Sequence, residues 1–167
     1  MNYFSFKEIE RMNANNLLSI LESFSSSPIL KLSIEWSLFE KENGRKLFNK
    51  LIRENVQNKS GVYLWSNPKT DEIYYIGMAG KIKTDGSLSN HTLQQRLQAP
   101  RGRDKKTKKD IQTNDFVKEF MKGNKILSLD FHLAYSKDDI PPAYVEAVLL
   151  NEYFKENKCL PHLNNSF

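Results

Sequence analysis

The sequence predicts an α+β fold: a small antiparallel β-sheet flanked by helices, with a helical extension at the N-terminal end. Three observations predict it. Apolar residues recur at helical spacing up to residue 55, and the period then changes to β-branched and aromatic strands over residues 61–77. Helical spacing returns afterwards, broken by one alternating stretch near residue 130.

Taken in order, residues 5–24 place Phe6, Ile9, Leu17, Ile20, Leu21 and Phe24 near helical spacing, and SSSP at 25–28 interrupts them. Residues 30–38 are ambiguous. Leu30, Leu32, Ile34, Trp36 and Leu38 alternate like a strand, yet the run also has a helical start and a stop at Gly44, and its later part leans to helix. Residues 45–55 set Leu47, Phe48, Leu51 and Ile52 on one helical face. GVYLW at 61–65 and EIYYIG at 72–77, joined by SNPKTD, read as an antiparallel hairpin in which Tyr74 and Tyr75 point to opposite faces. Residues 79–91 read as a polar loop and TLQQRL at 92–97 as a short helix. Thr113 is placed to cap a helix carrying Phe116, Val117, Phe120 and Met121, closed by Gly123. ILSLDFHLAY at 126–135 alternates as a half-buried strand, and Pro141 and Pro142 open a helix running to about Lys158.

At 167 residues the chain supports one domain with a hydrophobic core and at most an appendage. Hydrophobic residues at 39% and charged residues at 27% fit a soluble globular protein and exclude disordered and collagen-like classes. No run reaches the roughly 18 apolar residues of a membrane span, so no membrane partner is expected. Lys7, Glu8, Glu10 and Arg11 break up the first apolar residues, which argues against a signal peptide. The lone Cys159 allows neither an internal disulfide nor a cysteine zinc site, which fits a reducing, cytoplasmic location.

The net charge of +5 is modest, but its placement is informative. RGRDKKTKK at 101–109 holds Arg101, Arg103, Lys105, Lys106, Lys108 and Lys109 against Asp104, a local surplus equal to that of the whole chain. Such a cluster is either a polyphosphate-binding element, gaining by counterion release, or a solvated mobile loop.

Glu146 is the most informative single position. Leu149, Leu150 and Tyr153 follow it at three, four and seven residues, which puts the carboxylate on the apolar face of its helix. Burying an unpaired charge there costs several kcal/mol, so it either serves a divalent cation or acid–base chemistry, or partners a buried Arg or Lys. Other templates fail. The glycines of GMAG at 77–80 are two residues apart where a phosphate-binding loop needs four, and Lys81 is followed by Ile82 rather than Ser or Thr. His91, His132 and His162 are scattered, without the spacing of a histidine zinc site.

Gly61-Val62-Tyr63, followed after eleven residues by Tyr75-Ile76-Gly77, then by Arg96, Glu146 and Asn164, resembles the GIY-YIG nuclease superfamily in both motifs and order. The resemblance covers residues 57–167, and divides the chain into an extension over 1–56 and a catalytic domain over 57–167. It implies that the two motif strands belong to the antiparallel sheet and that the activity is metal-dependent hydrolysis of phosphodiesters in double-stranded DNA. It further implies that Tyr63 helps activate the attacking water, Tyr75 supports it by hydrogen bonding, Arg96 neutralises the scissile phosphate, Glu146 binds one Mg²⁺ or Mn²⁺ and Asn164 braces the site. This chain departs from the pattern in three places. The interval from Gly77 to Arg96 is long, so residues 79–91 are expected to form an insertion facing the substrate. Where several members carry a histidine one turn after the arginine this chain has Pro100, and His91 is either its replacement or a solvated loop residue. Met78 stands where some members have a basic or polar residue, a place Lys81 can approach.

The expectation is a type II-like restriction endonuclease, because the chain carries no appended recognition domain. A repair or structure-specific nuclease and a non-catalytic nucleic-acid-binding module of the same fold are the rivals. Residues 101–109 and Lys81 are expected to border the DNA, and the extension either packs on the catalytic domain or forms a homodimer contact.

Overall fold

The computed structural model describes residues 14–165. Phe6 and Ile9 of the expected first helix lie outside the described residues. In chain order the elements are α1 (Ala14–Phe24), β1 (Leu30–Glu35), α2 (Trp36–Glu40), α3 (Gly44–Asn55), β2 (Gly61–Ser66), β3 (Ile73–Ala79), α4 (Leu93–Gln98), β4 (Pro100–Arg103), β5 (Asp110–Gln112), α5 (Thr113–Gly123), β6 (Ser128–Tyr135) and α6 (Pro142–Asn157).

The fold is α+β, as the sequence predicts. A four-stranded antiparallel sheet has the order β1-β6-β2-β3, and β4 and β5 form a separate two-stranded ribbon. Helices cover both faces, which gives the sheet two cores. On one face Tyr63, Trp65, Phe131 and Leu133 pack against Phe48 and Ile52 of α3, Leu93 and Leu97 of α4 and Val117 and Met121 of α5. On the other, Val62, Leu64, Ile76 and Ala134 pack against Leu17 and Leu21 of α1 and Val145, Leu149 and Tyr153 of α6.

Double coverage explains why β2 is buried at all six positions. It also corrects the reading of β6 as half-buried. Asp130 and His132 are buried with the apolar residues, and each has partners. Asp130 accepts from Ser33 Oγ at 2.6 Å and pairs with Lys31 at 2.9 Å, while His132 Nε2 lies 2.9 Å from Ser66 Oγ. Leu127, which the alternation over 126–135 puts on the same face as Leu129, Phe131 and Leu133, lies outside the strand and is 59% exposed.

The ambiguous stretch at 30–38 contains both structures. Residues 30–35 form a strand paired with β6, and the chain turns helical at Trp36, whose amide donates to the Leu127 carbonyl at 2.8 Å. Gly44 opens α3 rather than stopping the helix before it. Thr113 is likewise the first helical residue and not the cap. Its hydroxyl donates to the Ala99 carbonyl at 2.7 Å, fastening α5 to the end of α4.

Of the basic stretch at 101–109, residues 101–103 belong to a two-stranded ribbon and 104–109 form its tip. β4 pairs with β5, and Asp104 organises the tip by accepting from the amides of Lys106 at 2.9 Å and Thr107 at 2.6 Å. Residues 79–91 also carry more order than a polar loop. A small hairpin leaves β3, bridged between Ile82 and Leu88, with Lys81 and Ser89 exchanging hydrogen bonds of 2.9 and 2.7 Å.

Candidate active site

β3 is an edge strand, and the cleft of interest wraps around that edge. Tyr63 stands opposite Gly77 and Trp65 opposite Tyr75, so all four residues lie on one face. The Tyr75 ring lies down over Gly77, where any Cβ would stand 2.5 Å from Tyr75 Cε1. In this position its centroid is 5.6 Å from that of Tyr63 and 5.2 Å from that of Trp65. The other motif glycine has a similar steric role: a Cβ on Gly61 would collide with the Ala134 carbonyl and stand 2.8 Å from Leu93 Cδ1, so its absence lets α4 sit on β2.

Tyr74 does not take the opposite face. A register shift between Trp65 and Ser66 makes it the extra residue of a β-bulge, and its ring meets Phe120 edge-on at 5.0 Å in the same core as Tyr63.

α4 carries Arg96 to this face. Thr92 and Gln95 form a capping box that fixes the start of the helix, and the buried Leu93 and Leu97 seat it, leaving Arg96 directed at the two phenols. Burial opposes the charge on Arg96, but the neighbouring Tyr63 and Tyr75 oxygens outweigh it and the guanidinium pKa is raised. Burial pushes the Tyr63 phenol well above its ordinary value. Tyr75 adds to that shift, while Arg101 and Arg96 oppose it. Tyr63 is 1% exposed and lies in the core behind Tyr75 without lining the cleft, whereas Tyr75 is half-buried and opens to it.

Glu146 approaches from α6, which packs on the other face, and reaches around the edge of β3. Burial raises its carboxyl pKa, and the Arg96 charge pulls it partly back. Among the described residues it has no ion-pair partner within 4.0 Å, and the cation that acts on it from across the cleft is Arg96.

Asn164 closes the outer side. Its Oδ1 accepts from the Ile76 amide at 2.9 Å and its Nδ2 donates to the Ile76 carbonyl at 2.7 Å, while the Leu163 amide donates to the Tyr74 carbonyl at 2.8 Å. The C-terminal segment therefore satisfies backbone groups that the edge strand would otherwise leave open.

Two adjoining clefts result, sharing Tyr75, Arg96 and Glu146. One, of about 540 Å³, adds Arg101, Leu163 and Asn164. The other, of about 380 Å³, adds Met78, Lys81, Ser89 and His91. The insertion thus brings Lys81 and His91 to the wall, next to Met78. A larger hollow of about 610 Å³, lined by Lys41, Lys46 and Lys118, lies away from these residues and contains none of the expected site.

Of the six cations at 101–109, only Arg101 joins the cleft. Its guanidinium carbon sits 4.6, 4.2 and 4.7 Å from the ring centroids of Trp65, Tyr75 and Phe116. Arg103 is exposed but engaged, its Nε donating to the Lys108 carbonyl at 2.7 Å and lying 3.8 Å from Asp110. Lys105, Lys106, Lys108 and Lys109 project from the ribbon into solvent. Sequence reasoning placed Arg101 with these lysines and did not find its aromatic cage. The only local signal was Trp65 and Phe116 themselves, which read as core.

Comparison with known proteins finds no family model that matches the chain and no curated protein or solved structure that matches it significantly. Among the described residues no group of three or more His, Cys, Asp and Glu side chains is placed to hold a metal ion. Among the described residues the one carboxylate lining these clefts is that of Glu146. One oxygen donor suits a hard dication such as Mg²⁺, which retains several waters and takes one or two carboxylates together with substrate phosphate oxygens. What the arrangement offers chemically is a carboxylate, a phenol and two guanidiniums lining adjoining clefts, with a second phenol buried behind the first.

Proposed function

We propose that this chain is a divalent-metal-dependent endonuclease of the GIY-YIG type, hydrolysing phosphodiester bonds in double-stranded DNA as a type II-like restriction enzyme. The observation that carries the reading is convergence. Tyr75, Arg96, Glu146 and Asn164, spread over ninety residues of sequence, meet at one cleft with Tyr63 beneath them. These groups match the charges of a phosphodiester attacked by water.

Hydrolysis joins the oxygen of water to phosphorus and releases one bridging oxygen, with negative charge accumulating on the phosphoryl oxygens. Arg96 faces the cleft as a permanent cation and stabilises that charge by charge-assisted hydrogen bonds. Tyr75, the phenol open to the cleft, holds the attacking water. Tyr63, a neutral phenol at neutral pH that burial pushes further from ionising, would help activate the water indirectly, by orienting Tyr75 and Arg96, rather than as a phenolate base. Glu146 would hold Mg²⁺ or Mn²⁺, which when bound offsets charge on the phosphate and leaving oxygens. Asn164 fixes the edge strand from which Tyr75 projects. The lysines of the ribbon border the DNA path, and two copies of the chain, as a homodimer, would bring one cleft to each strand.

The test is incubation with plasmid and phage DNA in Mg²⁺, in Mn²⁺ and in EDTA. Discrete fragments of fixed size in either metal and intact DNA in EDTA support the proposal. A smear removes the restriction role but keeps the nuclease, and intact DNA in both metals overturns the proposal.

A further inference from the structure

The feature that the proposed chemistry leaves unexplained is the setting of Arg101. β4 and β5 pair Pro100 with Gln112 and Gly102 with Ile111, so Arg101 is the extra residue of a bulge. A bulge re-aims a side chain, and this one turns Arg101 inward while Arg103 and the ribbon lysines stay outward. The planar guanidinium then rests among Trp65, Tyr75 and Phe116, all within 4.7 Å of it by centroid. Three rings attract the charge but, apart from the Tyr75 hydroxyl, offer no acceptor to its five N–H groups. Among the described residues Arg101 has no carboxylate within 4.0 Å and no hydrogen-bond acceptor. A half-buried cation oriented by its faces, with its donors left for something else, lies in the same cleft as Arg96.

We propose that Arg101 is a second phosphate-binding guanidinium of this cleft, held ready by the cage of Trp65, Tyr75 and Phe116 and acting with Arg96 on the DNA phosphodiester. The inference rests on the nuclease reading for its substrate. It makes the ribbon more than a basic handle, because the ribbon whose tip carries the outer lysines also delivers one cation to the reacting group. A lysine would carry the charge but not the planar fork that stacks and donates at once.

The test compares full-length Arg101→Ala, Arg101→Lys and Phe116→Leu with wild type in two assays. One is binding to duplex DNA in EDTA as a function of salt, and the other is single-turnover cleavage in Mg²⁺ at saturating protein. Arg101→Ala is expected to flatten the slope of log K against log salt by about 0.9, the value of one phosphate contact. Its cleavage rate should fall by at least about 100-fold, the scale of losing one donor to developing charge. Arg101→Lys should restore the slope but not the rate, and Phe116→Leu should keep the slope and lose part of the rate. Unchanged slope and rate in Arg101→Ala, with or without a lower melting temperature, would make Arg101 a staple between ribbon and core and overturn the proposal. Wild-type rates in Arg101→Lys would overturn the role of the cage. If Arg101→Ala fails to fold, Arg101→Lys and Phe116→Leu decide the matter. If the wild-type protein binds DNA without cutting it, the nuclease reading fails, and the salt slope alone supports or overturns the Arg101 contact.

Discussion

The Tyr75 ring lies flat across the backbone of Gly77, leaving no room for a Cβ: one built there would be 2.5 Å from Tyr75 Cε1 and 2.8 Å from the hydroxyl oxygen. The glycine is what lets the phenol lie along its own strand beside Tyr63 and Trp65 instead of standing off the sheet. Gly77→Ala should therefore displace Tyr75 at a cost of about 1–3 kcal/mol, the scale of overpacking a core. Denaturant midpoints measure the loss, and cleavage should fall more than tenfold, about 1.4 kcal/mol in barrier. An alanine variant with wild-type midpoint and rate would show that the ring does not need this place.

Asn164 supplies both an acceptor and a donor to Ile76 across the open edge of β3. Asn164→Ala leaves an amide and a carbonyl with only water to meet them, and should lower stability by about 1–3 kcal/mol. Asn164→Asp keeps the acceptor but sets a carboxylate oxygen against the Ile76 carbonyl at neutral pH. That variant should gain melting temperature relative to Asn164→Ala as the pH is lowered and the new carboxyl gains a proton to donate. Parallel melting curves for the two variants from neutral to acid pH would contradict the two-bond geometry.

Burial raises the Glu146 carboxyl pKa above the ordinary value, with Arg96 opposing. In the window between the unfolded and the raised folded value, the folded chain binds more protons than the unfolded one, so stability falls as pH rises through that window. Glu146→Gln removes this cost. The variant should melt higher than wild type above the window in EDTA, and the difference should vanish below the unfolded value, where both states of the wild type are protonated. A glutamine variant that melts lower than wild type at neutral pH in EDTA would mean the ionised carboxylate is a structural partner instead.

Lys105, Lys106, Lys108 and Lys109 project from the ribbon without carboxylate partners among the described residues. Their joint replacement by Gln should weaken binding to every duplex tested and flatten the salt slope by up to about 3 to 4 units. Sequence preference should change little, because phosphate contacts position the protein and base contacts specify. An unchanged slope in the quadruple variant would remove the ribbon tip from the DNA path.

The parts of this architecture that were legible in the sequence are those set by near neighbours. The strands at 61–66 and 73–79, α3, α5 and α6 follow from local period and from turn and proline signals. Glu146 stood out because its helix is otherwise apolar on that side. What was hidden depends on pairing between distant residues. The strand character of 30–35 is settled by the ladder to β6, about a hundred residues later, and the inward Asp130 and His132 look solvent-facing until Lys31, Ser33 and Ser66 are beside them. Tyr74 follows the bulge rather than strict alternation, and a bulge is a property of register between two strands. The same holds for Arg101, which in sequence is one cation among six and in space is the one turned inward.

The proposed cutting of DNA through Glu146 and a metal it would hold is tested by single-turnover cleavage of phage DNA in Mn²⁺ by wild type and Glu146→Gln. Both proteins are brought to equal occupancy on the DNA, verified by gel shift in EDTA. At that equal occupancy discrete fragments are expected from wild type and none from the variant. Cleavage by Glu146→Gln at the wild-type rate, or by wild type in excess EDTA, would contradict the proposal.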